Sequence, residues 1–127
     1  MRIYRFILPK QDNAGSSMIG SFSLLKDYIL DVIGGYTEQP EVAGVWKDSQ
    51  GQFYRDGSFV LDVAIGGDFR AQAVKSLIHR VRSLWPDQIS FFVADIGEAH
   101  FVPGLADPVG LTEEILADVA RGRALPS

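Results

Sequence analysis

The chain has 127 residues, 46% of them hydrophobic and none of them cysteine, and its 12 basic against 16 acidic side chains give a formal charge of −4. That length suits one domain with a core of its own, and the lack of cysteine excludes a disulfide framework, a thiolate zinc site and a thiol nucleophile. The acidic balance argues against a nucleic-acid partner. No apolar run reaches membrane-spanning length, and residues 1–9 carry charges within an apolar run and lack a small-residue cleavage site. A soluble cytoplasmic protein with no membrane contact is therefore the expectation.

In chain order, residues 3–8 form a β-rich run closed by Pro9, with Tyr4, Phe6 and Leu8 on one face and Ile3, Arg5 and Ile7 on the other. A strand apolar on both faces belongs in the middle of a sheet. Asp12, Asn13 and Gly15 supply a turn, and Ser16-Ser17 suit a helix N-cap. Phe22, Leu25, Ile29 and Val32 then recur at helical spacing until Gly34-Gly35 offers a left-handed stop. Residues 36–41 read as a loop, because Pro40 blocks a helix, and residues 42–47 as a strand. Asp48-Ser49-Gln50-Gly51 supplies a turn, residues 53–56 resume an extended run, and Asp56-Gly57 predicts a kink before a strand over 58–65.

Asp68 is placed to cap a second helix, whose stripe of Val74, Leu77, Ile78, Val81, Leu84 and Trp85 ends at Pro86. Residues 89–96 form the last main strand, and a short run over 99–102 extends it or folds back after Gly97. Leu111, Ile115, Leu116 and Val119 describe a C-terminal helix over about 111–121, with the tail 123–127 frayed. The order strand, helix, strand, strand, helix, strand predicts an α+β domain over residues 1–127, a ferredoxin-like βαββαβ sandwich with two helices on one face of an antiparallel four-stranded sheet. Its second face carries either Ile3 and Ile7 or Tyr4 and Phe6, with Val60 and one of Phe91 and Phe92. Apolar groups there need a cover, so a homo-oligomer is expected, a dimer by sheet-face or edge packing first and a trimer as the alternative.

Aromatic, hydroxyl and carboxylate groups crowd into one stretch, GGYTEQPEVAGVWKDSQGQFYRDGS, between the first helix and the third strand. With the element order it resembles PII-like signalling domains, and the string is similar to bacterial proteins carrying a Gly-rich, Tyr-Thr, Gly-x-Trp, Gly, Asp sequence there. The resemblance implies a ferredoxin-like trimer that binds nucleotides or other small effectors at subunit clefts and regulates partners by loop movement. This chain has no counterpart of that family's basic phosphate-binding residues, and its connection from Trp46 to Tyr54 reads as a tight hairpin.

Within the stretch, Tyr36, Thr37, Trp46, Tyr54 and Asp56 are the expected ligand-binding residues: Trp46 and Tyr54 as a cross-strand aromatic pair, with the Tyr36-Thr37 loop closing over them. The same residues also serve a plain hairpin. Arg5 and Asp62 are predicted to meet on adjacent strands, as an ion pair or as a polar handle for a ligand. His79 falls on the solvated side of its helix. His100 shares a face with Glu98 if that run is extended, so this pair, with Tyr54, supplies the candidate catalytic groups. Asp95 as a third metal ligand lies on the opposite face under strict alternation, and no metal site is expected. No phosphate loop, dinucleotide fingerprint, Gly-x-Ser-x-Gly elbow or His-Glu-x-x-His occurs, and no cofactor is expected. The leading reading is a non-enzymatic domain that binds a small molecule or a protein partner. A cofactor-independent isomerase, lyase or oxygenase using His100 or Tyr54 is the enzyme alternative, and a purely structural accessory protein is the third.

Overall fold

A computed structural model describes residues 1–108 and 110–122, with Trp46 described in its backbone alone. Seven elements follow one another: β1 (Arg2–Pro9), α1 (Ile19–Val32), β2 (Thr37–Lys47), β3 (Phe53–Ile65), α2 (Arg70–Leu84), β4 (Phe92–Glu98) and α3 (Glu113–Ala120). The strands form one antiparallel sheet in the order β2-β3-β1-β4. This is the ferredoxin-like α+β arrangement expected from the element order.

Period-two alternation decides which side chains meet the helices. Phe6 and Leu8 of β1 and Phe59, Leu61, Val63 and Ile65 of β3 face inward and are buried against Phe22, Leu25 and Ile29 of α1 and Leu77 and Val81 of α2. Phe22 and Phe59 stack with ring centroids 4.1 Å apart. Trp85, which follows α2, is buried too, and its indole N–H donates to the Pro9 carbonyl at 3.0 Å. The outer face carries Ile3, Ile7, Val60 and Phe92, which settles the alternative that the sequence left open. Arg5 and Asp62 pair there in register, as expected.

Several boundaries differ from expectation for identifiable reasons. The N-cap of α1 is Met18, without a side-chain cap; Ser17 only accepts the N–H of Ile19, at 3.3 Å. Asp68 likewise precedes the N-cap of α2, which is Phe69. The expected loop over 36–41 is mostly strand: β2 begins at Thr37, and Pro40 sits where the register slips between Gln39 and Val42, a bulge on an edge strand that needs no donor from proline. No kink forms at Asp56-Gly57, since β3 pairs with β2 straight through them. The last strand starts later than expected and takes a bulge at Ile3/Tyr4, which Gly97 absorbs at φ 126. The run over 99–102 is no strand; Ala99 alone is tied back, its N–H donating to the Met1 carbonyl at 2.9 Å. Thr112 caps α3 by accepting the N–H of Ile115 at 3.1 Å. The expected frayed tail, 123–127, lies outside the described residues.

Candidate functional site

The register of β3 separates the expected ligand-binding residues into two groups. Thr37 stands opposite Asp62, whereas Tyr54 stands opposite Trp46, so Thr37 and Tyr54 lie eight β3 positions apart, roughly 26 Å at strand rise. Within one chain, Tyr36 and Thr37 cannot close over the hairpin.

The hairpin group sits on a ribbon with nothing beneath it. β1 pairs with β3 only up to Ser58, so residues 43–47 and 53–57 pair with one another alone and project roughly 17 Å from the sheet. All of their described side chains are exposed. Trp46 and Tyr54 are register partners, but the Trp46 side chain lies outside the described part of the structure. Asp48 organises the tip. Its carboxylate accepts the N–H groups of Gln50 and Gln52, each at 2.9 Å, and the Tyr54 hydroxyl at 3.1 Å. The Gln52 amide first, then Gln50 and Tyr54, hold the Asp48 carboxyl below the usual range. The same carboxylate pushes the Tyr54 phenol up, which makes it harder to ionise. A shallow second cleft of about 670 Å³ takes in Tyr54, Arg55 and Asp56 at the root of the ribbon, beside Lys10, Asp12 and Gln88.

Tyr36 and Thr37 belong instead to a cleft of about 1390 Å³ at the opposite end of β3. Its walls come from five places: the α1–β2 connection, the last residues of β3, the start of α2, the segment after β4, and α3. Asp62 and Ala64 of β3 and Ile115 of α3 are among its lining residues. Asp62 is spoken for: Arg5 donates two bonds to it at 2.8 Å and Gln39 a third at 3.0 Å, with Arg5 the main cause of its lowered pKa. The Arg70 guanidinium, by contrast, lines the cleft without a hydrogen bond or ion pair among the described residues. Its nearest electrostatic neighbour is Asp95, which Arg2 already holds through Nε at 2.8 and 3.0 Å.

His100 lines this cleft as well, and its Nδ1 is shut off from solvent without a hydrogen-bond partner among the described residues. Oε2 of Glu98, two residues earlier, also lacks a hydrogen bond but stands 3.7 Å from the Met1 ammonium, while Oε1 accepts from Arg2 at 2.7 Å. Asp95 is committed to Arg2 and is no third ligand for this pair; among the described residues no group of three His, Asp or Glu side chains is placed to hold a metal ion. His79 is exposed, as its helical position implied. Sequence reasoning missed Arg70 and the α3 residues of the cleft, because no local pattern announces a wall assembled from segments dozens of positions apart.

The strand order and the helix placement have a solved counterpart in a divalent cation tolerance protein (Cut A1) from Thermus thermophilus, with 15% identity, a TM-score of 0.55, and coverage of 78% of this chain and 86% of that chain. The likeness is one of fold. It agrees with the PII-like fold resemblance drawn from the element order, and at that identity it carries no residue of Cut A1 across. No protein-family model matches the sequence, and no curated protein is significantly similar to it. Among the described residues no helix is long and apolar enough to cross a membrane.

Proposed function

We propose that the chain is a non-enzymatic binding domain that takes a small organic molecule in the 1390 Å³ cleft and works as a homo-oligomer. One observation carries the ligand part: a single cleft is lined both by Arg70, a guanidinium with no ion pair among the described residues, and by His100, whose buried Nδ1 has no hydrogen-bond partner among the described residues. Buried polar atoms are almost always hydrogen-bonded, so an orphan at a cleft wall marks a place where something else supplies the bond. The name of Cut A1 speaks of divalent cations, but the described residues here offer too few grouped ligands for a metal, and an organic ligand fits them better.

The oligomer rests on the ribbon. A lone two-stranded hairpin is marginal in water, and this one exposes Val45, Phe53 and Tyr54. A second copy that covered it would explain those side chains, and would let Trp46, Tyr54 and Asp56 of one subunit contribute beside a neighbour rather than within their own chain. A dimer is the smallest closed form. A monomeric mass by light scattering at micromolar concentration would sink this part.

The ligand part is tested by a thermal-shift screen against organic acids, amino acids, nucleotides, aromatic metabolites and divalent metals, run on wild type and on Ala64→Phe, which fills the cleft from the rigid floor strand. A ligand that binds only the folded state raises the melting temperature by mass action. The expected result is a shift with an organic compound that Ala64→Phe abolishes while circular dichroism shows the variant folded. A shift that survives the plug, or no shift at all, contradicts the cleft as the site.

The enzyme reading, a cofactor-independent isomerase, lyase or oxygenase, has a specific observation of its own in the buried His100 Nδ1, which has no hydrogen-bond partner among the described residues, two positions after Glu98. It requires that turnover of a cleft ligand vanish in His100→Ala while binding persists. Tyr54 is no part of it, because it lies at the other end of β3.

A further inference from the structure

We propose that the cleft ligand is a zwitterion of the amino-acid class with an apolar or aromatic side chain; this rests on the cleft being a small-molecule site. The argument starts from which charges along the cleft are already satisfied. Asp62 is neutralised by Arg5, and Asp118 is paired with Arg121 at 3.2 Å. The Met1 ammonium, which also lines the cleft, stands 3.7 Å from Glu98 Oε2. Among the described lining residues the Arg70 guanidinium at the start of α2, whose charge is felt by Asp95 but which makes no hydrogen bond, and the Glu114 carboxylate in the first turn of α3 are the charges without an ion pair of their own.

They have opposite sign and stand on different walls. An anion alone would satisfy Arg70 and leave Glu114 facing a like charge, and a cation alone would do the reverse. A ligand with a carboxylate and an ammonium satisfies both at once, and each contact is a charge-assisted hydrogen bond. Glu113 shares the first helical turn with Glu114 and gains the same favourable position near the helix dipole, yet it does not line the cleft. Ile33, Tyr36 and Ile115 give the remaining wall an apolar character suited to a large side chain. At about 1390 Å³ the cleft has room beyond the charged head group for such a side chain.

The test is isothermal titration of the full chain with L-phenylalanine, with 3-phenylpropanoate, which lacks the ammonium, and with 2-phenylethylamine, which lacks the carboxylate. L-Phenylalanine is expected to bind roughly tenfold or more tightly than either analogue. Arg70→Met should weaken L-phenylalanine and 3-phenylpropanoate and leave 2-phenylethylamine unchanged, and Glu114→Gln should do the opposite. Both positions are in first helical turns at the surface, and circular dichroism verifies that the variants fold. Equal binding of 3-phenylpropanoate and L-phenylalanine, or insensitivity of L-phenylalanine to both substitutions, overturns the proposal. If none of the three and no other amino acid binds while a compound that is not a zwitterion binds and is blocked by Ala64→Phe, the zwitterion proposal falls and the cleft reading stands. If nothing in the screen binds, the cleft reading falls with it.

Discussion

The two halves of β3 have opposite fates. From Ser58 to Ile65 the strand is flanked by β1 and β2 and its inward side chains are closed off completely, Leu61 and Val63 among them. From Phe53 to Gly57 it has β2 alone, and Phe53 is 68% exposed. The switch falls between Gly57 and Ser58, where β1 ends its pairing at Pro9. An apolar side chain such as Phe53 is therefore not core by itself; it needs a neighbouring strand on each side to be closed off. The same strand carries the proposed binding cleft at its sheltered end and an uncovered ribbon at its free end.

The largest expected effect breaks this comparison on its buried side. Leu61→Ala should cost about 2–5 kcal/mol in urea denaturation, because it opens a cavity at a site with no exposure. Phe53→Ser, on the far side of the switch, should leave the stability of the monomer within about 0.5 kcal/mol. Its effect should appear instead as a lower mass in light scattering, and an unchanged mass would remove the ribbon from the subunit contact.

Next in size is Gly51→Ala at the ribbon tip, where φ is 83 and a side chain costs about 1 kcal/mol. Hydrogen exchange should accelerate in residues 43–47 and 53–57 and stay unchanged in 58–65, since the ribbon opens independently of the sheet. Uniform acceleration would mean that the two halves are one cooperative unit.

A smaller effect is expected from pH. Arg5 holds the Asp62 carboxyl below its unfolded value, so the ionised pair stabilises the fold above an unfolded pKa near about 3.9 and that contribution fades as acid carries the pH down through the folded value. The melting temperature should fall from about pH 4 downward, and Asp62→Asn should flatten that slope. Tyr54→Phe should change least, by about 0.5 kcal/mol or less, because its bond to Asp48 is exposed to water.

How far the sequence discloses all this varies with the range of the interaction. The element order and the inward faces of β1, β3, α1 and α2 follow from spacing alone, as does the pairing of Arg5 with Asp62 across two strands. Caps and edges were harder to read. Ser17 and Asp68 look like N-caps but fall one position short, and Pro40 looks like a loop residue although a bulge on an edge strand accommodates it. The candidate site was legible only in part. Tyr36, Thr37 and His100 line the cleft, but Arg70 and Glu114 drew no notice, because their significance lies in having no partner among the described residues, and partners are a property of the fold.

The central claim is that the sheltered end of β3, and not the ribbon, holds the ligand. Its most direct test is a ¹H–¹⁵N correlation spectrum of the labelled protein, titrated in turn with the organic acids, amino acids, nucleotides and aromatic metabolites of the screen. The account predicts shifts concentrated at Tyr36, Thr37, Ala64, Arg70 and His100. Shifts concentrated at Trp46, Tyr54 and Asp56, with the cleft amides unmoved, would contradict it.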